Sequence, residues 1–193
     1  MLHDARFSHN AGPQPRTLAL VDPGTHKTVV MLLVADAGAP AGWRIAGVGH
    51  QFSHGIKARV VVQTDEAVQV LRAALTQAER MAGIAAETAI VTYGWGRLRQ
   101  HVFSMPGQGG TDADCAAAGQ AAVQQDGLLP LFTDVSQTAD GGRIVTVQAA
   151  DEGPVKALIH VVERADVEVA GVLPSALAAG LAVTTADERA AGV

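Results

Sequence analysis

The chain of 193 residues is long enough to bury one sizeable core, or one core with a small satellite unit. Its formal net charge is -5 and its basic residues form no block, so the composition argues against a nucleic-acid partner. Cys115 is the only cysteine, which excludes a disulfide within the chain and fits a reducing cytoplasm. It lies in an alanine-rich stretch without a neighbouring His or Lys, and we interpret it as a packing residue.

Residues 1–16 are polar and lack the apolar segment of a signal peptide, so we expect a flexible tail. The first strong pattern runs from Leu18 to Val34, where two apolar runs flank a turn at residues 22–27. Runs of this length, bounded by turn residues, are typical of a β-hairpin. The tip of this hairpin is the main candidate site.

Four residues at the tip carry groups that suit a nucleotide phosphate: Asp22, Gly24, Thr25 and Lys27. Gly24 allows close approach of the backbone, Thr25 donates a hydrogen bond and Lys27 supplies positive charge. The Asp22 carboxylate suits a magnesium ion held through water. The alternative is an ordinary polar hairpin tip with no ligand.

The next elements are a third strand, a short apolar run and a helix. A third strand is expected at Trp43 to Val48 and a short apolar run lies at Val60 to Val62. A helix capped by Thr64 or Asp65 should reach about Met81, because its apolar residues recur at helical spacing. Three strands before the first helix do not form the βαβ repeat of a dinucleotide-binding fold.

The second half of the sequence alternates strands with helices. An alanine-rich helix should be capped by Asp112 or Asp114, and a helix with Pro154 near its start should reach about Arg164. A last helix should open at Pro174 or Ser175 and end near Val183. Strands are expected at residues 88–93, 97–105, 131–135, 143–148 and 167–173.

Other groups of chemistry-bearing residues have simpler interpretations. His50 and His54 have the spacing of two metal ligands but no evident third ligand nearby. Ser53, His54 and Asp65 lack the elbow and oxyanion hole of a nucleophilic triad. We interpret Asp187, Glu188 and Arg189 as a charged linker, and we predict no catalytic residue.

Four stretches, in order, resemble the N-terminal part of FtsA, the actin-like cell-division protein family of bacteria. The first is the hairpin, LALVDPGTHKTVVMLLV, which matches the family's first phosphate loop. The second and third are IAGVGHQFSHGI at Ile45 to Ile56 and ALTQAERMAGI at Ala74 to Ile84. The fourth runs from Val155 to Val193 and ends in TTADERAAGV.

The resemblance implies an α/β fold: an actin-like (ribonuclease H-like) half-domain with an inserted small α+β subdomain. On this basis residues 17–84 form the first part of the actin-like subdomain, 85–166 the insert, and 167–193 the return segment. The resemblance further implies that the given sequence ends before the second large domain of the family.

The resemblance also implies a function. Full-length relatives bind ATP and magnesium and tether FtsZ to the membrane at the division site. We expect this chain to lack the FtsZ-binding subdomain and the membrane helix, to bind ATP weakly or not at all, and not to hydrolyse it alone. Its expected partners are FtsA-type proteins and FtsN, through the insert, in the cytoplasm. The alternatives are a fragment of another actin, sugar-kinase or Hsp70 superfamily member, or a pilus-assembly relative.

Some residues depart from the family's pattern. Pro23 stands where a branched apolar residue is usual, and His26 replaces a small residue beside the phosphate position. Proline lacks a backbone N–H and fixes φ, which can reshape the loop. These changes are consistent with relaxed nucleotide binding.

Overall fold

The computed structural model describes residues 17–39, 42–58, 60–94, 98–106 and 110–184. The predicted tail at residues 1–16 and the charged motif from Asp187 to Arg189 lie outside this part of the chain. The elements, in chain order, are β1 (Thr17–Pro23), β2 (Lys27–Ala35), β3 (Trp43–Phe52), β4 (Ile56–Lys57), β5 (Val60–Val61), α1 (Thr64–Ala82), β6 (Thr88–Tyr93), β7 (Arg99–Met105), α2 (Asp112–Gln125), β8 (Leu128–Gln137), β9 (Arg143–Asp151), α3 (Glu152–Glu163), β10 (Glu168–Pro174) and α4 (Ser175–Val183).

The larger sheet has five strands in the order β10-β6-β1-β2-β3. The predicted meander is confirmed, because β1 pairs antiparallel with β2 and β2 antiparallel with β3. Alternate residues of β1 are buried, with Ala19 fully buried and Val21 nearly so, as expected of a strand that turns one face to the core. A bulge near Leu32 and Leu33 of β2 shifts the register with β3.

Helix α1 covers one face of this sheet with a stripe of small and branched residues: Ala67, Val68, Leu71, Ala74, Leu75 and Ala78. Two glycines of β3 let the helix approach very closely. A Cβ atom on Gly47 would lie 2.0 Å from the carbonyl oxygen of Ala78, and one on Gly49 would lie 1.9 Å from that of Ala74. The helix begins after Gln63 and ends at Gly83, whose φ of 73° is the left-handed conformation that favours glycine.

One predicted assignment was wrong. The strand Thr88–Tyr93 was placed in the insert, but it pairs in parallel with β1, with Leu18 opposite Thr88 and Val21 opposite Val91. It therefore belongs to the larger sheet. Parallel pairing depends on contacts between distant segments, so the local pattern of this strand gave no sign of its partner.

The chain forms two compact units. The first contains the described residues up to Tyr93 together with Lys156–Leu173, and the second contains Gly94–Val155 together with the described residues from Pro174 onward. These limits differ from the predicted ones of 85 and 166, and α4 falls in the second unit instead of the first. The residues of α4 are apolar or small on every side, which gives no direction of burial in the sequence.

The second unit contains a three-stranded antiparallel sheet in the order β7-β9-β8, with α2 packed on it. Its core includes Cys115, Val123, Val145 and Val147, so the interpretation of the cysteine as a packing residue is confirmed. The cap of α2 was predicted at Asp112 or Asp114, but Thr111 is the N-cap residue. The two residues form a capping box. The Thr111 hydroxyl oxygen accepts from the Asp114 backbone N–H, and the Asp114 carboxylate accepts from the Thr111 backbone N–H at 2.7 Å.

Candidate functional site

The tip of the β1–β2 hairpin brings the four predicted site residues into one short segment. The turn closes through a hydrogen bond in which the Gly24 N–H donates to the Lys27 carbonyl oxygen at 2.9 Å. A Cβ on Gly24 would lie 2.8 Å from that same oxygen, so the tight turn requires glycine here. The Gly24 amide is therefore engaged in the turn.

The carboxylate of Asp22 is exposed and held by a neighbouring strand. The Thr92 hydroxyl donates a hydrogen bond to Asp22 Oδ1 at 2.5 Å. This contact exists because β6 runs parallel to β1, so that the ends of both strands reach the same edge of the sheet. Thr92 thereby fixes the position of a carboxylate that stays open to solvent.

Lys27 lies on the same face of the sheet as Asp22. Asp22 pairs with Val29, and Lys27 is two residues from Val29 along β2, so the two charged residues are diagonal neighbours. Lys27 is exposed and Thr25 is half-buried. An anion above this face would meet the Lys27 ammonium group, and the Asp22 carboxylate on the same face is of the type that holds a hydrated cation.

The loop after β3 anchors the other side of the tip. The Ser53 N–H donates to the His26 carbonyl oxygen at 2.9 Å, and the hydroxyl oxygens of Ser53 and Thr28 lie 3.0 Å apart. Thr28 is buried at the base of the tip. Two neighbouring segments thus fix the hairpin tip, one through Thr92 and one through Ser53.

The sequence reasoning found the tip but not these two supporting residues. Thr92 and Asp22 are 70 positions apart, and only the strand order brings them together. Ser53 was considered only as a member of a nucleophilic triad, not as a support of the tip. Its hydroxyl contacts Thr28, and Asp65 pairs with Arg164 at 2.8 Å, so Ser53, His54 and Asp65 do not form a catalytic triad.

Within the described ranges, no three His, Cys, Asp or Glu side chains come together in a way that could hold a metal ion. In the same part of the chain, no helix combines the length and the apolar character needed to cross a bilayer.

A comparison with solved structures identifies the fold. The chain has the fold of the actin-like ATPases. It matches a chain of the PilM-PilN type IV pilus biogenesis complex with a TM-score of 0.58 over 80% of this chain and 46% of that one. The sequences are only 10% identical, so this likeness concerns the fold alone.

The sequence narrows the resemblance to one kind of actin-like protein. The chain is 29% identical over 167 residues to the cell division protein FtsA of Rhizobium meliloti (strain 1021). It is also 29% identical over 170 residues to the FtsA of Agrobacterium fabrum (strain C58 / ATCC 33970). The matches cover 75% of this chain but 38% of each relative, so the chain spans well under half of their length. The predicted resemblance to FtsA is thus confirmed, while no family model matches the chain.

Proposed function

We propose that this chain is the part of an FtsA-type cell-division scaffold that carries the first phosphate-binding loop. One observation supports the proposal: Asp22 and Lys27, both exposed, are diagonal neighbours on one face of a braced hairpin tip. The similarity to FtsA supports the cellular role, and the actin-like fold supports a nucleotide as the ligand.

The ligand we propose for the tip is ATP with magnesium. Lys27 would contact a phosphate oxygen and the Thr25 hydroxyl would donate a hydrogen bond to the same group. Asp22, oriented by Thr92, would hold the magnesium ion through water. The bound magnesium would neutralise phosphate charge. Gly24 would shape the turn, since its amide already donates to Lys27.

The proposed role is binding without hydrolysis by this chain alone. Asp22 and Lys27 are both exposed, and one hairpin tip offers a nucleotide few contacts. An affinity near 1 mM, about 4 kcal/mol of binding free energy, is the strength we expect from such a site. Tighter binding would require a second wall that encloses the nucleotide.

The proposed partners are those of a division scaffold. The second unit, with its three-stranded sheet and α2, would supply the surface that contacts another FtsA-type protein or FtsN. Contacts with FtsZ and with the membrane are assigned to other parts of full-length relatives. The place of action would be the division site.

The test is a titration of the purified chain with Mg-ATP, in which NMR chemical shifts monitor the binding. We expect gradual shifts of residues at the tip, with half-saturation near 1 mM. Lys27→Ala should weaken binding by about ten-fold or more, because it removes a charge-assisted bond. Lys57→Ala is the matched control, since Lys57 is an exposed lysine on β4. Equal effects of the two variants, or micromolar affinity in the unchanged chain, would contradict the proposal.

A further inference from the structure

A groove runs along the edge of the larger sheet. Among the described strands, β3 has a sheet neighbour on one side only, namely β2. Its other side opens on a groove of about 590 Å³, and a second depression of about 320 Å³ shares Gln51 and Ala73 with it. The lining of both comes from the end of β3, the residue His54 and the outer side of α1: His50, Gln51, Phe52, His54, Gln69, Val70, Ala73, Thr76, Gln77 and Arg80.

The backbone of β3 presents hydrogen-bonding groups to this groove. The His50 N–H donates to the side-chain oxygen of Gln77 at 3.0 Å, so it points away from β2 and towards α1. Ser53, three residues on, donates in the opposite direction, to His26. In an antiparallel strand the direction of these groups alternates, so Val48 and Phe52 also present theirs to the outside. Such an edge is a template for a further strand.

Among the described residues that line the groove, Arg80 carries the one formal charge. The imidazoles of His50 and His54 also line it, and no carboxylate of the described part of the chain does. Apolar surface is available as well, because the Phe52 side chain is 83% exposed. An added segment with acidic and apolar side chains would complement both features.

A second copy of β3 is a poor occupant. The strand, WRIAGVGHQF, contains Arg44 and His50 but no acidic residue. Antiparallel pairing of two copies would therefore bring no carboxylate against either side chain. Because a second copy of β3 offers no carboxylate, an acidic segment of another protein is the more favourable occupant of the edge.

We propose that the edge of β3 binds an extended acidic peptide segment of a partner protein by strand addition. The carbonyl oxygens of the segment would replace Gln77 as acceptor for the His50 N–H, and its carboxylates would lie near Arg80. Main-chain bonds would supply affinity, while the charges would supply selectivity. This proposal is independent of nucleotide binding at the hairpin tip.

The test uses a fluorescein-labelled decapeptide of alternating Val and Glu, with fluorescence anisotropy as the readout. We expect saturable binding to the full chain, and binding of the Val-Lys analogue weaker by about ten-fold or more. A Val-Glu peptide with N-methyl groups on alternate residues keeps the charges but loses strand hydrogen bonds, so it should bind at least about ten-fold more weakly.

Two variants of the chain locate the binding. Arg80→Glu should reduce affinity for the Val-Glu peptide by about ten-fold. Arg99→Glu carries the same charge change on β7, in the other unit, and should leave the affinity unchanged. Circular dichroism checks that both variants are folded.

Other outcomes would overturn the proposal. Equal binding of the N-methylated peptide would indicate charge attraction without strand addition. Equal binding of the Val-Lys peptide, or no effect of Arg80→Glu, would remove the role of the groove. A dimer in sedimentation velocity that the Val-Glu peptide fails to dissociate would assign the edge to a second copy.

Discussion

Replacement of Gly49 by alanine should strongly destabilise the first unit. The added Cβ would lie 1.9 Å from the Ala74 carbonyl oxygen, where ordinary contact begins at 3.4 Å. The obstacle is helix backbone, which cannot rotate away as a side chain can, so α1 would have to withdraw from β3 by about 1.5 Å. The movement would loosen the contacts of Leu71 and Leu75, which are almost fully buried.

The expected loss is about 3 kcal/mol of unfolding free energy, at the upper end of the usual range for overpacking. For a chain of this size, that corresponds to a fall of about 6–12 °C in the melting temperature. Urea denaturation followed by circular dichroism at 222 nm gives the free energy. Since domains are stable by only about 5–15 kcal/mol, Gly49→Val is expected to unfold the unit.

Gly83→Ala is the matched control in the same unit. Gly83 has a positive φ of 73° but no atom within 4 Å of an added Cβ. Gly83→Ala should therefore lower the unfolding free energy only by the cost of holding alanine at positive φ, about 1 kcal/mol. If Gly49→Ala is no more destabilising than Gly83→Ala, the close packing of α1 on β3 is refuted.

Three further predictions concern single hydrogen bonds. Thr111→Ala removes the cap of α2 and should cost about 1 kcal/mol in urea denaturation. The hydrogen bond from the Thr111 backbone N–H lowers the pKa of Asp114 below its ordinary value of 3.8. The stabilisation by ionised Asp114 is therefore present above the unfolded-state pKa and is lost as the pH falls through the lower folded-state value. Asp114→Asn should flatten this acid dependence, and an unchanged pH profile would contradict the assignment. Gln77→Ala should accelerate hydrogen exchange of the His50 amide by about ten-fold while the Gly49 amide, which faces β2, keeps its rate. Equal rates for His50 in both proteins would show that Gln77 does not protect it.

Local patterns predicted most of the elements but not their long-range partners. The two apolar runs on either side of a turn in Leu18 to Val34 predicted the hairpin, and the helical spacing of Val68, Leu71 and Leu75 predicted α1 and its buried face. Helix starts were less accurate. Both predicted α1 caps were wrong, because Gln63 is the N-cap residue and makes no side-chain cap. The reciprocal bond between Thr111 and Asp114 shows why the nearest acidic residue is not always the cap itself.

The candidate site was only partly predictable for a similar reason. Asp22, Gly24, Thr25 and Lys27 lie within six residues, so a turn is enough to bring them together. The hydroxyl of Thr92 reaches Asp22 only because β6 inserts beside β1, and that placement depends on the whole sheet. The spacing of residues in the sequence therefore could not predict that Thr92 lies beside Asp22.

The division of the first unit into two chain segments has a consequence for how the protein folds. Strands β6 and β10 are neighbours in the sheet, yet the larger segment of the second unit, Gly94–Val155, and helix α3 separate them along the chain. During synthesis β6 emerges first, and it remains the outer strand until about 75 more residues have been made and β10 begins. Closing so long a loop is unfavourable in entropy while the intervening chain is unfolded. Early folding of the second unit would compact this loop. We therefore expect the first unit to begin folding before the second unit, but to complete its sheet only after the second unit has folded.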